Sequence, residues 1–410
     1  MDIVVKSDSY GVSNARGLAE LARAWIQRSG TRPFDFRLRV NPYGVHSRDS
    51  GPEHLIPLID VLLTACTRWS HVELHLECYC LAQLEFLYWG DTGTFQFPKL
   101  QHLSVSAGRK VFQRMNRWLN INHDTTPALR SISMCGSRGI GAMDMIAPMS
   151  PPLDVSFGVL TKLSIGSFAS QENLFHMLSQ CMHIRQLDID VGVLMFRPPP
   201  PQTMDIYLPE LLSLRVTSYS GFNGLMDWWT FPSLQSMYIR LEWEVIKDEW
   251  QRGFPVNAGW PMTAFQDFAT RSMCSITELV LRDIELKPGQ LSAIITSVHL
   301  SLQYLHVNGV GGNGVLSVDD SVLSMLTWDN ASPSNICPLL KKIKFVDCLI
   351  FTKGIFAQMV MSRTKAGAGQ VVCLEEVWVE CHEDCGMTQM YILTDFNIVK
   401  DMLPVFHVTL

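Results

Sequence analysis

The sequence predicts an α/β protein built from many copies of one strand and one helix in alternation. Three observations support this class: a short apolar phrase recurs along the chain, polar residues fill most positions between its apolar sites, and the stretches between copies have the apolar spacing of helices. The 410 residues are 47% hydrophobic and 18% charged, with a formal net charge of −6. This composition supports a large core, excludes global disorder and disfavours electrostatic attraction to nucleic acid or anionic lipid.

The recurring phrase is apolar-x-x-apolar-x-apolar, which predicts one short strand in each copy. Ten copies begin 23–42 residues apart, at residues 100–105, 129–134, 160–165, 184–189, 211–216, 234–239, 276–281, 302–307, 340–345 and 374–379. Residues 69–74 form an earlier, degenerate copy. A proline stands two residues before the first apolar site in five copies, at Pro98, Pro127, Pro209, Pro232 and Pro338. The register of the copies predicts strands that lie side by side in sequential order.

Eight segments carry apolar residues at the three- and four-residue spacing of an amphipathic helix. They are residues 53–66, 109–120, 170–181, 222–229, 261–273, 289–298, 319–328 and 352–362. Ser170 and Asp319 are candidate N-caps, and Pro261 suits the first helical position. A strand and a helix in alternation at this period are typical of a leucine-rich-repeat solenoid, with a curved parallel sheet on the concave face and helices on the convex face.

A doubly wound α/β domain is the alternative fold, because it also alternates strands and helices. Its strands are buried on both faces and read as unbroken apolar runs. The strands here read as SVS, DID, RVT and HVN, which indicates that one face is open. We therefore predict a single leucine-rich-repeat solenoid over residues 1–410, with an N-terminal capping helix region at 1–30 and a C-terminal capping region at 386–410.

The N-terminal cap has an apolar helical face of its own. Leu18, Leu21, Trp25 and Ile26 share this face, so we expect residues 13–28 to pack on a first strand near residues 36–38. At the other end, residues 390–406 are expected to cover the strand at 374–379.

Five segments resemble leucine-rich-repeat proteins attached to F-boxes, especially the large fungal F-box-like group. They are LARAWIQRSGTRPFDFRLRV (21–40), LLTACTRWSHVELHL (62–76), FPKLQHLSVS (97–106), LPELLSLRVTS (208–218) and FPSLQSMYIR (231–240). In that group a Trp-x-x-Arg-Ser-Gly-like phrase opens the repeat region after the F-box, and residues 25–30 are similar to it. No F-box is visible before residue 25, so the module that binds the ligase adaptor is expected to be absent or truncated.

The resemblance implies a non-catalytic protein–protein interaction module that recognises substrates for a cullin–RING (SCF-type) ubiquitin ligase. A leucine-rich-repeat interaction scaffold with no ubiquitin role is the alternative, and an enzyme of unknown type is a third. The expected partner is a protein on the concave face, with the ligase adaptor added only if an F-box lies upstream. Neither nucleic acid nor membrane is an expected partner.

Outward-facing strand positions are the candidate partner-binding residues. In the early repeats these positions are small, as at Ser104 and Ser133, and in the later repeats they are large or charged. The candidates are Asp188, Asp190, Arg215, Tyr238, Arg240, Arg282, Tyr304, His306, Lys342, Lys344, Glu376, Trp378 and Glu380. Tyr, Trp and Arg are enriched at binding hot spots. The alternative interpretation is that these positions are polar only because the open face of a strand is always polar. The basic pair at 342 and 344 precedes an acidic pair at 376 and 380, a change of sign expected to set a partner's register.

Other motifs give weaker indications of chemistry. Gly309-x-Gly311-x-x-Gly314 has the spacing of a dinucleotide-binding turn, but Asp319 and Asp320 place negative charge where a pyrophosphate would lie. A strand-to-helix turn is therefore the preferred interpretation. Residues 381–385 read CHEDC without a second ligand pair, and a polar loop is preferred to a metal site. Residues 198–201 are four prolines, which predict a stiff polyproline II loop.

The sequence shows no signature of a common hydrolase or nucleotide-binding enzyme. It has no Gly-x-Ser-x-Gly elbow, no His-Glu-x-x-His and no Walker lysine loop, so no catalytic residue, metal or cofactor is expected. The eleven cysteines are odd in number and scattered, and the N-terminus lacks the features of a signal peptide. These features predict an intracellular protein, cytoplasmic or nuclear.

Overall fold

The computed structural model describes residues 1–6, 11–41, 55–76, 95–107, 122–136, 157–168, 171–191, 205–218, 222, 224–242, 259–309, 318–329, 335–364, 372–381, 386–400 and 402–409. They form two compact units, Met1–Met195 and Phe196–Leu410. Each unit contains a parallel sheet whose seven strands follow one another in chain order, with helices between strands. The predicted α/β class is confirmed in this form.

The sheet of the first unit contains seven strands, each paired in parallel with the next. They are β1 (Asp2–Lys6), β2 (Phe34–Asn41), β3 (Trp69–Leu76), β4 (His102–Ala107), β5 (Ser131–Gly136), β6 (Lys162–Phe168) and β7 (Gln186–Val191). The α-helices of the described part are α1 (Gly11–Arg28), α2 (Ile56–Leu63) and α3 (Gln171–Leu178). Rings of residues 34, 36, 69 and 97 contact one another in series through the core in tilted and edge-to-face arrangements, with centroids 5.0–5.6 Å apart.

The second unit repeats the arrangement and adds a small pair of strands. The pair is β8 (Ile206–Tyr207) with β10 (Trp229–Thr230). The main sheet contains β9 (Ser213–Ser218), β11 (Ser236–Leu241), β12 (Glu278–Arg282), β13 (Tyr304–Asn308), β14 (Lys342–Val346), β15 (Glu376–Glu380) and β16 (Val405–Thr409), in that order. Its described α-helices are α4 (Met262–Ser272), α5 (Gln290–Val298), α6 (Asp320–Leu326), α7 (Ile355–Thr364) and α8 (Gly386–Val399).

All ten copies of the apolar phrase form strands, four in the first unit and six in the second. The three apolar residues of every copy are buried. In the copy at 234–239, for example, Leu234, Met237 and Ile239 are all fully buried, while Tyr238 and Arg240 between and beyond them are half-buried. This alternation is what a sheet with one covered and one open face produces.

In seven of the ten copies a tight turn leads into the strand, and this turn explains the recurring proline. The Leu234 N–H donates to the carbonyl oxygen of Phe231 at 3.2 Å, and the same bond joins Leu340 to Cys337 at 3.2 Å. In every proline-containing copy the proline follows the accepting carbonyl, the position at which its fixed φ favours a turn. The sequence signal therefore has a local backbone cause.

The first polar position of each phrase extends the ladder between neighbouring copies. The Gln303 N–H donates to the Thr277 carbonyl oxygen at 2.8 Å, and the Lys341 N–H donates to the Gln303 carbonyl oxygen at 2.8 Å. Equivalent bonds join residues 130 to 101, 161 to 130 and 185 to 161 in the first unit. At this first polar position the backbone N–H and carbonyl groups pair with the neighbouring copies, and the side chain lies on the surface.

Most of the predicted helices are present with shifted ends. Helices α4, α5 and α6 match the predictions at 261–273, 289–298 and 319–328. Asp319 caps α6, because its Oδ1 accepts hydrogen bonds of 3.0 Å from the backbone N–H groups of Ser321 and Val322. Pro261 lies at the N-cap of α4, one residue before the predicted position. Ser170 and the predicted helix at 109–120 lie outside the described residues.

The helix predicted at 222–229 is wrong. The described residues of this segment form turns and then β10, which pairs with β8. Phe222 and Trp229 are nevertheless fully buried. The apolar spacing was therefore a burial signal that a turn-and-strand segment satisfies as well as a helix does.

The N-terminal helix packs through small residues. Ala15, Ala19 and Ala22 are buried, and α1 contacts α2 and β1. Leu21 and Trp25 are 52% and 51% exposed, so the prediction that they pack on the first strand is wrong. The structural reason is that β1 pairs with β2 and α1 packs on α2 through its alanine face.

At the other end of the second unit, α8 leads into β16, which pairs in parallel with β15 from Glu376↔Val405 to Glu380↔Thr409. No helix within the described ranges combines the length and the apolar character needed to cross a membrane.

Candidate partner-binding face

Parallel pairing arranges the outward side chains of the second unit in three rows across its sheet. Row A contains Ser213, Ser236, Glu278, Tyr304, Lys342, Glu376 and Val405. Row B contains Arg215, Tyr238, Val280, His306, Lys344, Trp378 and His407. Row C contains Thr217, Arg240, Arg282, Asn308, Val346, Glu380 and Thr409. We call these rows the binding face, and eleven of the thirteen predicted partner-binding residues lie on it.

Trp378 is held in place on three sides. Lys344 Nζ lies 4.5 Å from the centroid of its ring, and the ring of His407 lies 4.3 Å away on the other neighbouring strand. The indole Nε1 donates a hydrogen bond of 2.5 Å to Oε1 of Glu380. The half-buried indole is therefore a fixed aromatic surface, and little rotamer entropy is lost when a partner packs on it.

The basic pair of β14 and the acidic pair of β15 neutralise each other. Lys342 Nζ lies 2.8 Å from Glu376 Oε2, and Lys344 Nζ lies 3.2 Å from Glu380 Oε1. The hydrogen bond and charge of Glu376 raise the pKa of Lys342. The sequence pattern suggested two separate charged strips, but register places opposite charges side by side. These pairs therefore offer a partner less net charge than the sequence indicates.

Arg240 is also neutralised by carboxylates. Its Nε donates to Asp283 Oδ2 at 3.1 Å, and its Nη2 donates to Glu242 Oε1 at 3.3 Å. Burial lowers the pKa of Arg240, but the two carboxylates outweigh burial and raise it overall. Arg240 thus serves mainly to join the end of β11 to the turn after β12.

Two other arginines meet at one tyrosine. The guanidinium carbon of Arg215 lies 4.2 Å from the centroid of the Tyr238 ring, within the range of a cation–π contact. Arg282 Nη1 lies 3.5 Å from the Tyr238 hydroxyl oxygen, at the long limit of a hydrogen bond. Arg282 Nε is buried and has no hydrogen-bond partner among the described residues.

Tyr304 and His306 lie on the next strand, β13, where burial and neighbouring charges shift the pKa of each. Burial, followed by the charges of Lys344 and Arg282, lowers the pKa of His306 to about 4. The imidazole is therefore neutral at pH 7, and its buried Nε2 has no partner in the described part of the chain. Burial, Glu278 and Glu376 raise the pKa of Tyr304, which keeps its hydroxyl protonated.

Asp188 and Asp190, the other two predicted residues, lie on β7 of the first unit. Both are half-buried, and Ser164 Oγ donates to Asp188 Oδ2 at 3.5 Å. Both residues belong to the first unit and not to the binding face.

The first unit has a row of polar contacts that sequence reasoning missed. His102 Nδ1 lies 2.8 Å from Ser131 Oγ, and His71 Nδ1 lies 3.2 Å from Asp35 Oδ1. Burial, followed by the charge of His71, lowers the pKa of His102. No carboxylate is hydrogen-bonded to His102 within the described residues, so this base and hydroxyl lack the orienting acid of a catalytic triad. The degenerate phrase at 69–74 was the signal that could have located the row.

Beside this row, Arg37 and Glu73 form a two-bond ion pair across β2 and β3. One of its bonds, from Nη2 to Oε1, is 2.8 Å long, and the other joins Nε to Oε2. The hydrogen bond from Arg37 lowers the pKa of Glu73.

The glycine motif at 309–314, the CHEDC segment at 381–385 and the prolines at 198–201 form no ligand site among the described residues. Gly309 directly follows β13 and lies against Asp347, in the turn after β14. Gly311 and Gly314 lie outside the described residues. Cys381 is buried, and residues 382–385 and 198–201 also lie outside them. Among the side chains that the structure describes, no three His, Cys, Asp or Glu residues are grouped to hold a metal. The sequence matches no protein-family model and no curated protein.

Proposed function

We propose that the chain is a non-catalytic protein-binding module of the leucine-rich-repeat type, and that a protein partner docks on the binding face of the second unit. The observation that carries this proposal is the alignment of Tyr238, Tyr304 and Trp378 on one face by strand register. Tyrosine, tryptophan and arginine are the residues enriched at binding hot spots.

The leucine-rich-repeat assignment is supported by three features. The apolar sites of all ten phrases are buried, the strands run parallel in chain order within each unit, and the same tight turn precedes the strand in seven of the ten copies. In such a solenoid each repeat is rotated slightly relative to the one before it, so the sheet curves and its open side becomes concave. The binding face would then be the concave surface.

The binding face is suited to recognition because its large side chains are held before a partner arrives. Trp378 is fixed by Lys344, Glu380 and His407, as described above. Pre-organised side chains improve affinity by reducing the entropy lost on binding. The ion pairs at its surface contribute more to partner choice than to affinity.

Resemblance to the F-box-like group extends the proposal to substrate recognition for a cullin–RING ubiquitin ligase in the cytoplasm or nucleus. An interaction scaffold without a ubiquitin role remains the alternative. Co-purification of the ligase's adaptor subunit with a chain that includes an upstream F-box would support the ligase role, whereas a plain scaffold captures no ligase subunit.

The test of the binding proposal is affinity capture from cell extract with the full chain as bait. The parent is compared with the double variant Tyr304→Ala/Trp378→Ala and with the control Ser104→Ala/Ser133→Ala, all checked for folding by thermal unfolding. We expect the parent and the control to enrich the same proteins and the aromatic double variant to lose them. Equal enrichment of the same proteins by all three chains would show that the partner does not bind the binding face.

A further inference from the structure

We propose that the partner places one Asp or Glu carboxylate against Arg282, between Arg215 and His306 on the binding face. We call Arg215, Tyr238, Arg282 and His306 the arginine site. This inference rests on the proposed function, since it names the chemistry that the protein partner must present.

The geometry of the site starts from Tyr238. Arg215 is directly opposite Tyr238 on β9 and covers its ring at 4.2 Å, while Arg282 on β12 approaches its hydroxyl at 3.5 Å. One aromatic side chain therefore gathers two guanidinium groups from the strands on either side of it. Two like charges drawn to one place favour an anion between or beside them.

The pairing of the other cations sets these two arginines apart. Arg240, Lys342 and Lys344 each form an ion pair with at least one carboxylate of the chain. Within the described residues, Arg215 and Arg282 have no ion pair with a carboxylate. Positive charge that the chain itself does not neutralise is thus concentrated at the arginine site.

Two buried polar atoms of the site also lack partners. Arg282 Nε and His306 Nε2 lie on neighbouring strands, and neither has a hydrogen-bond partner among the described residues. A buried donor without a partner is unfavourable, so a rotation of the Arg282 side chain that brings Nε to an acceptor on the partner recovers that loss. A guanidinium matches the two oxygens of a carboxylate with two parallel N–H bonds. The tautomer of the neutral imidazole with a proton on Nε2 supplies another donor.

The surrounding acids favour a carboxylate over a phosphate. Glu242 and Asp283 lie beside Arg240, and Glu278 lies on the same strand as Arg282. Their negative charge repels a phosphate group, which carries about −1.5 to −2 at pH 7, more than it repels a singly charged carboxylate. The proposed occupant is therefore an acidic side chain of a protein and not a phosphorylated one.

The test uses three pools of short fluorescein-labelled peptides with identical degenerate, non-acidic flanks and a central Glu, Gln or phosphoserine. Binding to the full chain is measured by fluorescence anisotropy at low salt. We expect the Glu pool to bind about tenfold more tightly than the Gln pool, the effect of one charge-assisted contact, and the preference to shrink as salt is raised. The phosphoserine pool should bind more weakly than the Glu pool.

Matched variants assign the preference to the site. Arg282→Gln and Arg215→Gln should each reduce the preference for the Glu pool, whereas Arg23→Gln, which removes an already paired cation of α1 in the first unit, should leave it unchanged. Thermal unfolding checks that each variant is folded. Arg282→Lys separates charge from the forked geometry, because it keeps the charge and should still lose most of the preference.

Three results would overturn the arginine site: equal binding of the Glu and Gln pools, tighter binding of the phosphoserine pool, or no binding of any pool. Equal binding that Trp378→Ala abolishes would reject the arginine site and retain the binding face. The affinity capture described above decides the proposed function separately, because it does not depend on the charge of a peptide.

Discussion

Gly309 lies so close to the backbone of Asp347 that a Cβ atom at Gly309 would stand 2.1 Å from the Asp347 carbonyl oxygen. The Gly309 N–H donates to the Val346 carbonyl oxygen at 2.8 Å, which holds the end of β13 against the end of β14. Asp347 has a φ of +47°, where the chain turns away from the strand. The first glycine of the 309–314 motif therefore has a structural reason in the contact between two repeats.

Replacement of Gly309 by Ala should destabilise the protein by about 1–3 kcal/mol, because the added methyl group overlaps a backbone carbonyl that cannot move independently. The measurement is the free energy of unfolding in denaturant. Gly158→Ala is the matched control: its Cβ would lie 3.6 Å from the Gln180 carbonyl oxygen, an ordinary contact, and should change stability by less than about 0.5 kcal/mol. Similar stabilities of the two variants would contradict the close approach.

Arg363 is fully buried, and its guanidinium donates to the backbone carbonyl oxygens of Leu326 at 2.5 Å, Ile336 at 2.6 Å and Cys337 at 2.9 Å. Burial lowers its pKa to about 10, which still leaves it charged at pH 7. Arg363→Met should cost about 3 kcal/mol of unfolding free energy, because it leaves buried carbonyls without donors.

Arg271→Met is the control for Arg363. Arg271 also donates to two carbonyl oxygens, those of Met226 at 2.8 Å and Trp229 at 3.2 Å, but its side chain is exposed. Water can replace part of its hydrogen bonding, so the loss should be clearly smaller than for Arg363→Met. An equal loss would show that burial of Arg363 is not the cause.

Pro232 stabilises the turn that leads into β11. Pro232→Ala should lower stability by about 0.4–1 kcal/mol, because the unfolded chain gains freedom that the turn must remove. The measurement is the free energy of unfolding in denaturant, and a Pro232→Ala variant as stable as the parent would show that the proline does not restrict the unfolded chain at this turn.

Much of the fold was predictable from local patterns. Burial repeats every second residue in the strands, and Pro232 and its equivalents mark turns whose geometry proline favours, so strand positions and order followed from the sequence. The segment at 222–229 was mispredicted because Phe222 and Trp229 satisfy burial without a helix. The face of α1 was mispredicted because three alanines, which carry little hydrophobic signal, pack more closely than Leu21 and Trp25.

The candidate site was predictable in position but not in pairing. Outward alternation placed Tyr304, Trp378 and the charged residues on one face, since side-chain direction in a strand follows from position alone. Which charge meets which depends on the register between strands and on rotamers. That is why the neutralisation of Lys342 by Glu376, and the meeting of Arg215 and Arg282 at Tyr238, required the structure.

His306 makes stability depend on pH in a defined direction. Its pKa falls from 6.5 to about 4 on folding, so the unfolded chain binds more protons between these values. The protein should lose stability as pH falls from about 6.5 to about 4, and above pH 6.5 His306 should have no such effect. In His306→Gln this contribution is absent, so the stability difference between parent and variant should shift towards the variant at pH 4.5 compared with pH 7.

Proton NMR gives the direct readout of the His306 prediction. The imidazole resonance that is missing from the His306→Gln spectrum should titrate well below pH 6 in the parent. Titration near pH 6.5, together with an unchanged stability difference between pH 7 and pH 4.5, would contradict the burial of the imidazole among Lys344 and Arg282.

The central claim, that the face carrying Tyr304 and Trp378 binds a protein, is tested most directly by titration of the captured partner against single variants. We predict that Tyr304→Ala and Trp378→Ala each weaken binding by about 2 kcal/mol or more, as hot-spot truncations do. Ser104→Ala and Ser133→Ala, on the sheet of the first unit, should change it by almost nothing. Equal affinity of Tyr304→Ala, Trp378→Ala and the parent chain would contradict the claim and place the partner elsewhere on the protein.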